Sequence, residues 1–284
     1  MAVMQCKDYQ LEYEEYGSGD RVLLCCQQSH SRIQNWTISL AETGLFHVYD
    51  LTIRGYGKST HVQEDLGEAW YDVWAEDACG FADALGVDRF FYTGMSHGAG
   101  IGWHLCVRHP ERLRGFFAIV GGPHSKDGED TGEARMRTIR AAATQETWKA
   151  YCDGIDRNSR PVRKEGMSDE AWQKALALHE EDMSFWYGMS LEEARLNPRK
   201  PFPKLHTEAE LIEVLSGIQV PTLMMGGMKD PISLPENMIR SLKAVKNSKL
   251  ILYEDATHAL DREHKEEIVE DILAFCRVRG LFED

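Results

Sequence analysis

The stretch Arg89-Phe90-Phe91-Tyr92-Thr93-Gly94-Met95-Ser96-His97-Gly98-Ala99-Gly100-Ile101-Gly102-Trp103 runs from an apolar segment, through a glycine-flanked serine, into a glycine-rich helix start. A short apolar run bounded by turn residues reads as a buried strand. The G-x-S-x-G spacing predicts a sharp strand-to-helix corner with Ser96 at its apex. Glycine is wanted on both sides, because a Cβ at Gly94 or Gly98 would collide with so tight a corner. Gly98, Gly100 and Gly102 then fall inside the helix, each costing about 1 kcal/mol against alanine. Close packing of that helix on the sheet is the compensation expected.

Outward from this corner the same rhythm repeats. Upstream, residues 11–16 alternate weakly and residues 21–26 form an unbroken apolar run, so two strands are expected, joined as a hairpin by Gly17-Ser18-Gly19-Asp20. Ser31 is the expected cap of a helix over residues 33–43 that carries Trp36 and Leu40, and residues 45–51 return as a strand. A helix over residues 68–85 places Trp70, Val73, Trp74, Phe81 and Leu85 on one stripe and stops at Gly86. Downstream, residues 114–122 are another apolar strand. The rhythm then breaks: residues 123–217 offer only helical stretches, at 133–152, at 169–179, after the capping box Ser190-Leu191-Glu192-Glu193, and at 208–215. It resumes with strands at 220–226 and 249–253, a helix begun by Pro235, and a last helix holding Ile268, Ile272, Leu273, Phe275 and Cys276. Strands alternating with amphipathic helices predict an α/β fold, a mostly parallel central sheet covered by helices on both faces. Its core is expected from residues 1–122 and 218–284, and residues 123–217 read as an inserted all-helical lid.

Composition bounds the functions. The 284 residues are 43% hydrophobic, enough to bury one large α/β core plus an insertion. The formal charge of −14 repels phosphate backbones and anionic lipid, which argues against nucleic acid or membranes as partners without saying what binds. No apolar run reaches the roughly 18 residues of a spanning helix and no leader pattern is visible, so a cytoplasmic location is expected. Cys6, Cys25, Cys26, Cys79, Cys106, Cys152 and Cys276 are an odd, scattered set without C-x-x-C spacing, expected as buried thiols and not as disulfides or a zinc site. Oligomeric state is not legible.

A serine hydroxyl needs a base within hydrogen-bond reach and a carboxylate to orient that base. In open α/β sheets such groups converge beyond the carboxyl ends of the strands. Asp230 lies just past one such end, in Gly227-Met228-Lys229-Asp230-Pro231, and His258 just past another, in Asp255-Ala256-Thr257-His258. Over essentially its whole length the chain resembles the α/β-hydrolase superfamily: residues 50–59 resemble its aspartate-x-x-glycine-x-glycine-x-serine turn, 94–98 its elbow, 220–231 its acid-bearing strand and 257–258 its histidine loop. The resemblance implies Ser96 as nucleophile, His258 as base and then acid, Asp230 as orienting carboxylate, a small-molecule substrate, and neither metal nor cofactor. Where the family usually has His-Gly after its third strand, this chain has Cys25-Cys26-Gln27-Gln28-Ser29-His30. A backbone donor does not depend on its side chain, so the oxyanion hole is expected from the amides of His97 and Gln28, with Gln27 or Ser29 as alternative registers.

Gln27, His30, His124 and Trp186 are candidates for the pocket wall. The aromatics Trp148, Tyr151, Trp172, Phe185, Trp186 and Tyr187 read first as the lid's own core and second as a clasp for an apolar substrate. The activity expected is metal-free hydrolysis of a small carboxylic ester or lactone through an acyl-enzyme. Hydrolysis of a carbon–carbon bond, cofactor-free oxygenation, and ligand binding without turnover remain alternatives on the same fold.

Overall fold

The computed structural model describes residues 2–62 and 64–283. Eight strands, β1 (Ala2–Cys6), β2 (Tyr9–Tyr16), β3 (Arg21–Gln27), β4 (Phe46–Thr52), β5 (Phe90–Met95), β6 (Leu113–Ile119), β7 (Thr222–Gly227) and β8 (Ser248–Tyr253), form one sheet in the order β1-β2-β4-β3-β5-β6-β7-β8. β1 pairs antiparallel with β2 and β2 with β4; from β4 onward every pairing is parallel.

The hairpin expected between residues 11–16 and 21–26 is not there. β2 turns back instead onto β1, with Ala2 opposite Tyr13, through a turn in which Lys7 has φ 52°. β3 is inserted between β4 and β5. Its continuous run Leu23-Leu24-Cys25-Cys26 has no polar face to show to water, so it is stable only with helices on both sides, whereas β2 alternates and suits a place near the edge.

Adjacent residues of each parallel strand point to opposite faces, and each face has its own core. Leu24, Tyr92 and Phe116 pack under Trp70, Trp74 and Phe81 of α2 (Trp70–Ala84) and Trp103 of α3 (His97–Arg108). Their neighbours Leu23, Phe91 and Phe117 pack on the other side against Trp36 and Leu40 of α1 (Trp36–Glu42) and the last helix. The N-cap of α1 is Asn35, whose side chain accepts from the Thr37 amide, and not Ser31. Ser31 instead receives the Gln34 amide and gives its own proton to Glu181, so it ties this loop to a distant helix. Gly86 follows α2 at φ 72°, the left-handed stop expected.

Between β6 and β7 stand α4 (Glu133–Ala141), α5 (Gln145–Ser159), α6 (Asp169–Gly188), α7 (Leu191–Arg195) and α8 (Glu208–Ser216). The single helix expected over 133–152 is two, because Thr144 and Thr147 form a capping box that restarts the chain. α6 runs nine residues beyond the expected end at His179. α8, within the stretch read as insertion, buries Leu211 and Leu215 in the core beside α9 (Pro235–Ala244). α10 (Leu260–Glu263) and α11 (Lys265–Val278) close the fold, α11 burying Ile268, Ile272, Phe275 and Cys276. No described helix is long and apolar enough to cross a membrane.

Candidate active site

Ser96 leaves β5 at φ 49° and ψ −105°, a conformation costly for a residue with a Cβ. It is over-determined: its amide donates to Ile119 O at 2.8 Å and its carbonyl receives the Gly100 amide at 3.1 Å. A Cβ on Gly94 would lie 2.4 Å from the Gly98 carbonyl carbon, and one on Gly98 would lie 2.3 Å from Cys26 O. The helical glycines are explained the same way: a Cβ on Gly100 would meet the Tyr71 ring at 2.5 Å and one on Gly102 the Phe116 ring at 2.1 Å. The neighbouring strand end is strained too, since the β-branched Val120 has φ 41° and is held by its amide to Met225 O.

Two further strand ends bring Asp230 and His258 to the serine. The loop after β7 and the loop after β8 touch at Gly227, where a Cβ would sit 2.2 Å from Ala256 O, and the Lys229 amide donates to that same oxygen at 2.9 Å. Asp230 Oδ1 accepts the amides of Ile232 at 2.8 Å and Ser233 at 2.9 Å, which fixes the carboxylate. Its Oδ2 lies 2.8 Å from His258 Nδ1, and His258 Nε2 lies 3.0 Å from Ser96 Oγ. Burial pushes the Asp230 carboxyl up, but the hydrogen bonds from His258 and the two amides outweigh it and hold the group below its ordinary value. An ionised carboxylate only accepts, so Nδ1 carries the proton and Nε2 is left to accept from the serine hydroxyl.

A chamber of about 740 Å³ opens over this relay, lined by Ser96, His97, His258 and Gln28 below and by Arg135, Tyr151, Trp186 and Lys200 of the stretch between β6 and β7 above. A second cavity of about 300 Å³ reaches Ser96 from the other side, past Gln27, Ser29 and His30. Of the three oxyanion registers only Gln28 lines both spaces. Its side chain donates to Tyr56 Oη at 2.9 Å. His97 is the first residue of α3, where the amide has no partner within the helix.

The predicted wall residues divide. His124 and Trp186 line the chamber, while Gln27 and His30 line the second cavity. Gln27 Nε2 donates to Met95 O at 3.3 Å, and His30 Nε2 donates to Leu51 O at 2.9 Å. The aromatics are partly core and partly wall: Trp148 stacks on Tyr151 with centroids 5.6 Å apart, and Tyr151 and Trp186 also face the chamber. Tyr187 is exposed and donates to Asp153. Burial and the Arg135 charge push His97 down to about 3, and its Nε2 is buried with no partner among the described residues. Burial with the Lys200 charge pushes His124 down to about 4. Both rings are neutral at pH 7 and present one donor and one acceptor.

Sequence reasoning missed Arg135, Arg137, Arg199 and Lys200, all on the chamber wall. Arg135 and Arg137 in a helix and Arg199-Lys200 in a loop carry no periodicity to set them apart from a solvated face. Cys25, His30 and Asp50 bring ligand atoms within 4.8 Å of one another. Burial pushes the Cys25 thiol well up, which disfavours a thiolate ligand, and Asp50 Oδ2 accepts from Asn35 and Thr37, both at 2.8 Å, while its Oδ1 is buried with no partner among the described residues.

No family model matches the chain. Among curated proteins it is similar to the bifunctional epoxide hydrolase 2 of Sus scrofa, 30% identical over 115 residues that make up 38% of this chain and 20% of that protein. It is also similar to the 2-hydroxymuconate semialdehyde hydrolase of Pseudomonas sp. (strain CF600), 36% identical over 37% of this chain and 40% of that protein. This chain thus spans well under half the length of either relative. Among solved structures, the enol-lactonase from Burkholderia xenovorans LB400 superposes with a TM-score of 0.72 at 17% identity, covering 97% of this chain and 100% of that one. An esterase from Thermogutta terrifontis superposes with a TM-score of 0.70 at 19% identity, covering 96% and 94%.

Proposed function

Starting from the α/β-hydrolase fold that this chain carries, we propose that it is a serine hydrolase of a small carboxylic ester or lactone, and that helices α4 to α7 act as its lid. The observation that carries the reading is the relay from Ser96 Oγ to His258 at 3.0 Å and on to Asp230 at 2.8 Å, built at a strained strand end.

Ser96 Oγ attacks the acyl carbon while its proton passes to His258 Nε2, and the carbonyl π electrons move onto oxygen. That oxyanion takes hydrogen bonds from the amides of His97 and Gln28. As the carbonyl re-forms, the imidazolium returns the proton to the departing alkoxide and an acyl-enzyme remains. A water then gives its proton to His258 and attacks the acyl carbon, and as that tetrahedral intermediate collapses the imidazolium returns the proton to the departing Ser96 Oγ and the acid is released. Asp230 holds the imidazole in the productive tautomer and stabilises the imidazolium. The proposed substrate is a small molecule, and the steps use only side chains and backbone amides of this chain together with water.

The comparisons support the hydrolase reading at the level of the fold. The semialdehyde hydrolase among the curated relatives keeps carbon–carbon bond hydrolysis as a second reading at the same serine. A fluorophosphonate probe together with p-nitrophenyl butyrate tests the proposal. Labelling and turnover in the wild type, both lost in Ser96→Ala, support it; an unlabelled Ser96 refutes it.

A further inference from the structure

We propose that the chamber over Ser96 is an anion-receiving subsite, and that the substrate carries a carboxylate or phosphate held by the Arg135 guanidinium. This names the substrate class for the hydrolase reading and rests on it. The chain as a whole carries a formal charge of −14, yet the chamber wall holds Arg135, Arg137, Arg199 and Lys200 against two carboxylates, Glu129 and Glu133. One of the two is already engaged, since Glu133 pairs with Arg140 at 2.6 Å. Among the described residues the four cations have no such ion pair. Lys200 Nζ donates to the carbonyls of Ser125 at 3.3 Å and Asp127 at 3.2 Å, and Arg199 donates to Thr131 Oγ1 at 3.3 Å. All three acceptors are uncharged.

Arg135 is half-buried and has no carboxylate partner among the described residues; its one hydrogen bond is to Tyr56 Oη at 3.4 Å. Tyr56 is buried and also receives Gln28 Nε2 at 2.9 Å. The guanidinium is therefore two hydrogen bonds away from the residue expected to hold the oxyanion, with most of its planar fork unspent. A guanidinium fork matches two oxygens of a carboxylate or phosphate, and a partly dehydrated site strengthens that bond. The positive field acts on its neighbours as well, since the Arg135 charge opposes protonation of His97.

The second cavity has the opposite character. It is lined by Glu181, Asp182 and Asp261 with Arg262, and Arg262 is already paired with Asp182 at 2.6 Å. An anion entering there is repelled, so the charged end of the substrate lies in the large chamber and the uncharged end points to the smaller space. The charge contrast sets orientation across Ser96.

The test compares p-nitrophenyl butyrate with mono-p-nitrophenyl glutarate, an ester of similar length that ends in a carboxylate. The wild type is expected to prefer the glutarate ester by at least tenfold in kcat/KM, through KM, with a preference that shrinks as salt is added. Arg135→Gln lowers that ratio by at least tenfold and Arg135→Lys by less, whereas Lys149→Gln, a surface cation on α5 outside the chamber, leaves the ratio at its wild-type value. A wild-type ratio near one, or an unchanged ratio in folded Arg135→Gln, overturns the proposal. Binding of glutarate and of inorganic phosphate, followed by tryptophan fluorescence, gives a readout that needs no turnover and tells the two anions apart. If Ser96 is not labelled by the fluorophosphonate but glutarate or phosphate binds and Arg135→Gln loses it, the hydrolase reading fails and the subsite stands. If Ser96 is labelled and neither anion binds, the subsite fails alone.

Discussion

Replacing Asp230 by asparagine separates an orienting carboxylate from a merely structural one. In the native site Oδ1 receives two backbone amides, from Ile232 and Ser233, and Oδ2 faces His258 Nδ1 at 2.8 Å. An asparagine has one acceptor and one donor end, and the two amides require the acceptor. The NH₂ is thereby turned toward His258, so Nδ1 must lose its proton and accept. The ring then carries its proton on Nε2, which donates toward Ser96 Oγ and can no longer take the hydroxyl proton. Turnover is expected to fall by about ten-thousandfold, or about 5.5 kcal/mol at 1.36 kcal/mol per decade. Both amides keep their partner, so stability in urea should change by only about 1 kcal/mol. Steady-state hydrolysis of p-nitrophenyl butyrate, with urea unfolding of the same preparations, measures both. Asp255→Asn is the control, because that carboxylate is exposed and turned to His264 Nε2 at 3.1 Å. If Asp230→Asn keeps activity within tenfold of wild type, the tautomer argument is wrong, and if Asp255→Asn collapses in its place, the acid sits on the histidine loop.

Three other outcomes are expected. Burial pushes His97 to about 3 and His124 to about 4 from an ordinary 6.5, so between about pH 4 and 6.5 the unfolded chain binds protons that the native state refuses, and stability falls as pH drops through that window. Each ring contributes at most about 1.4 kcal/mol per pH unit, and urea midpoints should show a shallower acid limb in His124→Gln; an identical limb refutes the assignment. Gly102→Ala gains about 1 kcal/mol of helix propensity but drives a Cβ to 2.1 Å from the buried Phe116 ring, for a net loss of about 1–2 kcal/mol. Phe116→Leu in the same chain should give back part of that loss, and additive losses would show that the two residues do not press on each other. Ser96→Gly relieves the backbone at φ 49° and should be about 1 kcal/mol more stable than Ser96→Ala, with both inactive; equal melting temperatures would mean that the corner stores no strain.

The glycine-flanked serine and the apolar strands were legible because each states a local physical need: a corner without Cβ atoms, or a segment with no wet face. Asp230 and His258 were legible as residues just past strand ends, and they meet Ser96 because parallel strands put those ends on one edge. Three features were not. β1 is short and its Ala2-Val3-Met4-Gln5-Cys6 is mostly exposed, so its pairing with β2 is decided by the turn at Lys7 and not by a hydrophobic pattern. The place of β3 between β4 and β5 is a matter of topology, which two adjacent strand signals in a row do not reveal. Arg135 reads in sequence like its neighbour Arg140, which is exposed and paired with Glu133; only the approach of α4 to Tyr56 distinguishes them.

The relay and the cations over it come from separate parts of the chain. Ser96, Asp230 and His258 stand on the ends of β5, β7 and β8, while Arg135, Arg137, Arg199 and Lys200 all lie on the single excursion between β6 and β7. On the proposed reading, bond-making and substrate choice are thus written in different stretches, joined at the roof of one chamber. On that reading, substitutions within residues 129–200 re-tune which molecules enter without replacing any of the three relay residues, so the same chemistry can be offered to a new substrate.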